Sequence, residues 1–117
     1  MKCVAYLKRQ LNNMFGISEI ILAEIKKTIS KYEEIDRVLL FGSRARGNYK
    51  KTSDIDIAIF APTISSCRLN LLRDSLDELD IIYKIDVVNF YTISKEALKL
   101  NIINDGVEIY LKNMDQR

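Results

Sequence analysis

The chain has no histidine, which excludes Ser-His-Asp and Cys-His catalysis and leaves carboxylates as the obvious reactive groups. Its two cysteines, Cys3 and Cys67, are far apart and form no CxxC. They support neither a disulfide framework nor a Cys/His zinc site. With one proline, four glycines and 48% hydrophobic residues, the composition excludes a disordered or fibrous chain and leaves an ordinary globular one. Charge of one sign is also scarce. Eighteen basic residues against sixteen acidic leave a formal charge of +2, too balanced for bulk-field attraction to a nucleic acid or a membrane. Any electrostatic function is therefore local, and no direct nucleic-acid binding is expected. The N-terminal apolar run, Cys3 to Leu7, is five residues long. That is too short for a signal-peptide core or a membrane span, so a cytoplasmic location is expected. The length predicts one domain over residues 1–117.

What the chain does contain is ordered by periodicity. Ile21, Ile25, Ile29 and Tyr32 recur at helical spacing and predict an amphipathic helix from Ser18 to Glu34, with Ser18 as N-cap. "RVLLFG" reads as a buried strand ended by Gly42, and "SDIDIAIFAP" as a strand closed by Pro62. In the latter Ile55, Ile57 and Ile59 share one face and Asp54, Asp56 and Ala58 the other. Leu69, Leu72, Leu76 and Leu79 predict a helix over 65–80, "YKIDVVNF" a third strand, 94–104 a third helix stopped by Gly106, and "VEIYLK" a last strand. The order α-β-β-α-β-α-β implies an α/β (α+β) domain with a small mixed sheet flanked by helices. Residues 1–16 are expected to form an extra helix or an interaction arm.

The chemistry concentrates between Leu39 and Phe60, in "LLFGSRARGNYKKTSDIDIAIF". Aspartate is depleted in strands and unfavourable to bury unpaired, so the two in this strand need compensation. Spaced two apart on a strand, Asp54 and Asp56 can converge on one point, and Asp86 joins them if its strand is a neighbour. Three carboxylates so placed repel unless a cation is bound, and oxygen-only ligands select magnesium or manganese. Magnesium is commonly held by one or two carboxylates together with substrate phosphates, which points to a nucleotide. Gly42 lets the backbone approach a phosphate, while the Ser43 hydroxyl and the amides of a following helical turn can donate to it. Arg44 and Arg46, with Lys50 and Lys51, add charged donors for a triphosphate. Each feature alone has a plainer reading: Ser43 as an N-cap, the basic residues as a solvated loop, Asp86 paired with Lys84. Their conjunction outweighs those readings. Tyr83, Tyr91 and Tyr110 are read as packing or surface residues.

Gly42-Ser43, ten residues, then Asp54-Ile55-Asp56 resembles the GS-x10-DxD signature of the DNA-polymerase-beta-like nucleotidyltransferase superfamily. "LLFGSRARG", "SDIDIAIF" and "KIDVVNF" look especially like its smallest members, the minimal nucleotidyltransferases, over roughly residues 18–112. The resemblance implies the nucleotidyltransferase fold. It also implies metal binding at Asp54, Asp56 and Asp86, with Asp86 helping to activate the acceptor hydroxyl, and phosphate binding at Gly42 and Ser43, with Arg44 and Arg46 assisting. The implied reaction is magnesium-dependent transfer of AMP from ATP to a tyrosine of an all-helical HEPN-domain toxin, this chain being the antitoxin in a hetero-oligomer. Two alternatives remain: an antitoxin that inhibits by contact alone, and a small-molecule, aminoglycoside-type transferase completed by a partner subunit.

Overall fold

The computed structural model describes residues 14–112, so the expectation for residues 1–16 falls almost wholly outside the described residues. The described part begins with a 3₁₀ turn, Met14–Gly16, followed by helix α1, Glu19–Ile29. Strand β1 is Arg37–Phe41, helix α2 the single turn Ser43–Arg46, and β2 is Ile55–Phe60. Helix α3, Ser66–Asp77, leads to β3, Ile85–Asn89; helix α4, Glu96–Asp105, leads to β4, Val107–Leu111. The strands form one mixed sheet in the order β3-β2-β1-β4. β1 runs antiparallel to β2 and β4, while β2 and β3 are parallel. The expected α/β class and mixed sheet are both observed.

Alternation decides which side chains go where. Val38 and Leu40 of β1, Ile55, Ile57 and Ile59 of β2, Ile85 and Val87 of β3 and Ile109 of β4 form one buried face. Ile25 and Ile29 of α1 and Leu72 and Leu76 of α3 cover it. Each such side chain contributes roughly 1.5–3 kcal/mol by leaving water. The opposite face is smaller: Leu39, Ala58 and Phe60 meet Ile102 of α4, with Phe41, Val88 and Phe90 packed around them. Only part of that second face is covered, and Asp56 and Asp86 stand on it at the start of their strands. The buried Asn89 locks the far ends, its Nδ2 donating to the Ala61 carbonyl at 2.9 Å and its Oδ1 accepting from the Ala61 amide at 3.4 Å.

Among the boundaries that differ from expectation, three bear on the core and the site. Helix α1 stops at Ile29, because the Ser30 amide turns back onto the Lys26 and Thr28 carbonyls, and the chain then folds over to bury Tyr32 and Ile35. Ser18 does cap its start, accepting from the Ile21 amide at 3.2 Å. β2 begins at Ile55, so Asp54 ends a loop and is not itself within the strand. Helix α3 closes at Asp77, three residues earlier than its leucine periodicity suggested, although Leu79 still packs on the core.

Candidate active site

The site forms where β1 ends, α2 begins, and β2 and β3 start side by side. Because β2 and β3 are parallel neighbours, Asp56 stands directly beside Asp86 in the register, and on its other flank faces Phe41 of β1. β2 is an interior strand, and Asp56 on it is half-buried. Asp54 is exposed. Lys84 approaches the Asp86 carboxylate at 3.7 Å with most of its own side chain in solvent, a pairing the sequence allowed and worth little by itself.

Gly42 joins this acidic pair to the turn that opens α2. Its φ of 81° and ψ of −159° lie in a region open essentially to glycine. A Cβ there would collide with the Asp56 carboxylate. The Gly42 carbonyl accepts from the Arg46 amide at 3.1 Å and starts α2 with Ser43 at its first position. Gly47 ends that turn in the left-handed conformation, φ 90°, its amide bonded to the Ser43 carbonyl at 2.9 Å. Open space surrounds Gly47. Gly47→Ala is therefore expected to lose only about 1 kcal/mol in urea unfolding, the strain of holding a Cβ in the left-handed region, with little change at the site. A loss above about 3 kcal/mol would mean that the turn carries packing we have not assigned.

Electrostatics mark Asp56 as the strained member. Partial burial, then the charges of Asp86 and Asp54, then a hydrogen bond shared with Asp86 push its carboxyl up to about 6, with Arg46 pulling the other way. A carboxyl held up in this way beside a second carboxylate fits a divalent ion that would take the place of its proton. Among the described residues no three acidic or cysteine side chains are already gathered round one point. Asp56 and Asp86 could therefore hold a cation as a pair, with Asp54 acting on them through charge and the rest of the shell left to other oxygens. That is the pattern magnesium favours.

The basic residues separate into two roles. Arg46 is exposed and reaches Asp105 at the end of α4, 3.5 Å away, so its charge is available at the mouth of the site. Arg44 departs from expectation. It is 1% exposed, and its guanidinium is engaged by backbone carbonyls, which places it under the turn and not in front of it. Lys50 and Lys51 are exposed on the loop before Asp54. Two residues in no recognisable motif border the same acidic pair. Arg73 and Asp77 of α3, with Lys84, line a cleft of about 530 Å³ that contains Asp56 and Asp86. Arg73 donates to the Val87 carbonyl at 3.0 Å on the outer edge of β3. Their only sequence signal was polarity on a helix face, which any solvated helix shows.

Residues 23–115 match the family described as polymerase beta, nucleotidyltransferase. The chain is 35% identical over 98 residues to "Putative protein adenylyltransferase MJ0141" of Methanocaldococcus jannaschii, covering 76% of this chain and 95% of the relative. A crystal structure of a toxin–antitoxin with AMP-PNP aligns at a TM-score of 0.64 and 25% identity, over 80% of this chain and 76% of the matched chain. The complex of a tri-AMPylated Shewanella oneidensis HEPN toxin with its MNT antitoxin aligns at 0.60 and 22% identity, over 84% of this chain and 76% of the other, a likeness of fold.

Proposed function

Because the chain belongs to the polymerase-beta nucleotidyltransferase family, as one of its minimal members related to MNT antitoxins, we propose that it moves AMP from ATP to a hydroxyl of a HEPN-type toxin. The acceptor in this proposal is a tyrosine, and silencing that partner in the cytoplasm is the chain's work. The observation that carries the reading is the register of β2 and β3. It brings Asp56 and Asp86 together against the Gly42 turn, in an oxygen-only site that fits a magnesium-nucleotide.

The residues then divide the work. Asp56 and Asp86, with Asp54 beside them, would hold magnesium, which when bound supplies charge neutralisation at the α-phosphate and the leaving oxygens. The Ser43 hydroxyl and the amides at the start of α2 donate to the outer phosphates, holding the pyrophosphate end still. Arg46 adds positive charge from the open side. An acceptor hydroxyl entering beside Asp86 attacks the α-phosphorus in line. The bond to the acceptor oxygen forms as the α–β bridging bond breaks. The hydroxyl proton passes to the Asp86 carboxylate or to water, and pyrophosphate leaves with the electron pair. Positioning and electrostatics supply most of such a rate enhancement.

A tyrosine or serine on a second protein fits better than a small molecule, because the cleft lies open along the outer edge of β3. The test is intact mass of a HEPN-domain partner incubated with this chain, ATP and magnesium. We expect additions in whole AMP units, absent with Asp54→Ala/Asp56→Ala. A silenced, tightly bound and unmodified toxin would instead establish inhibition by contact. Transfer to an aminoglycoside only when partner is present would establish the small-molecule reading.

A further inference from the structure

We propose that Arg44 is a positioning residue, whose buried guanidinium sets the spacing between the Gly42–Ser43 turn and the strands bearing the carboxylates; this rests on the nucleotidyltransferase reading above. Arg44 follows Ser43 directly, and its side chain runs inward. Nε and Nη2 both donate to the Ser53 carbonyl, at 3.1 and 2.9 Å, and Nη2 also reaches the Lys51 carbonyl at 3.3 Å. Nη1 donates to the Phe15 carbonyl at 3.0 Å. The plane is flanked by two aromatic rings, Tyr83 at 4.5 Å and Tyr49 at 5.1 Å from the guanidinium carbon. Among the described residues no carboxylate makes an ion pair with it. A buried cation without a counter-charge persists only where hydrogen bonds replace its hydration, and these carbonyls and rings do so.

The segments it gathers are those that aim the site. Ser53 immediately precedes Asp54 and the start of β2. Tyr83 precedes Lys84, whose carbonyl takes the Ile55 amide at 2.9 Å and so sets the parallel register that pairs Asp56 with Asp86. The third segment is shaped around the same group. Phe15 and Gly16 both have positive φ, 60° and 72°, and a side chain at Gly16 would run into Tyr49 and Arg44 Nη1. One planar fork thus fixes the turn to both acidic strands. A lysine keeps the charge but cannot reproduce the fork or its stacking. Groups that orient metal ligands from behind typically change metal affinity by about 10–100-fold when removed.

The experiment compares full-length wild type, Arg44→Lys and Arg44→Gln. Calorimetric titration with ATP is run in EDTA and again in magnesium, below the melting temperature that circular dichroism gives for each protein. Positioning predicts that both variants bind metal-free ATP much as wild type does. Both should lose about tenfold or more of the affinity that magnesium adds, because carboxylates and phosphates no longer share an ion at the right spacing. Arg44→Lys at the wild-type gain with Arg44→Gln weakened would overturn the proposal in favour of charge alone. Wild-type gain in both, with only a lower melting temperature, would reduce Arg44 to fold support. Should neither variant fold, Tyr83→Leu decides, a reduced gain supporting the proposal and an unchanged one overturning it. Wild type that binds no magnesium-ATP would remove the nucleotidyltransferase reading itself, and with it this one.

Discussion

Asp56→Asn will fold, and its AMP transfer will fall by about 10³-fold or more, the scale on which one preorganised electrostatic contact to a transition state is felt. Asparagine keeps the shape of the side chain and one oxygen, so it removes little packing. It removes the charge that burial and Asp86 have already made unfavourable in the folded chain. The same substitution should alter the pH dependence of stability without a divalent ion. In the unfolded chain this carboxyl titrates near 3.8, in the folded one at about 6. Between those values the folded state holds a proton that the unfolded state has released. Stability therefore falls as pH rises through that window and stays lower above it. Because Asp56 is only half-buried, solvent screening reduces the loss to on the order of 1 kcal/mol. Urea unfolding in EDTA at pH 4 and pH 7.5 should show this decline in wild type and a smaller one in Asp56→Asn, with magnesium opposing it at the higher pH. More than a tenth of wild-type transfer left in Asp56→Asn would remove Asp56 from the reaction.

Gly42→Ala is the second large effect. It combines two penalties that are separate at the other turn glycine. The backbone angles lie where only glycine is comfortable, at about 1–3 kcal/mol for any other residue. The new methyl would also strike the Asp56 carboxylate, which cannot retreat without leaving its place beside Asp86. The expected result is a loss of about 2–4 kcal/mol in unfolding. Transfer should drop at least about a hundredfold even where the protein is folded, because a displacement near 1 Å at the reacting centre is felt on that scale. The comparison with Gly47→Ala is informative. Gly47 shares the positive φ but faces open space, so its substitution isolates backbone strain from collision. Equal effects of the two substitutions on transfer would show that the approach of Asp56 to the turn carries no function.

Two features explain why the placement of these residues could be read in advance. The period of two in "DIDIAIF" puts the isoleucines on the face covered by α1 and α3 and leaves Asp56 on the other, whatever the strand's neighbours. The Gly-Ser step marks a backbone that must turn sharply where a charged ligand can approach. Less legible was the division of labour among the basic residues. Arg44 and Arg46 stand two apart in the same four-residue turn and look equivalent as letters. One points under the turn toward Ser53, Phe15 and Tyr83, and the other stands in solvent near Asp105. No local pattern distinguishes them, because the partners of Arg44 are brought in by segments on both sides.

By itself, then, the sequence determined the main helices and strands, the two faces of β2, and the oxygen-bearing and basic residue types on which the proposed magnesium-nucleotide site rests, since these depend on side-chain chemistry and spacing along one strand or turn. Only the tertiary structure decided that Asp86 stands beside Asp56, that Asp54 remains at the loop end, that Arg73 and Asp77 border the cleft, and that Arg44 lies beneath the turn. Each of those depends on which strands are neighbours and in what register. Those are properties of packing between distant segments, on which local periodicity is silent.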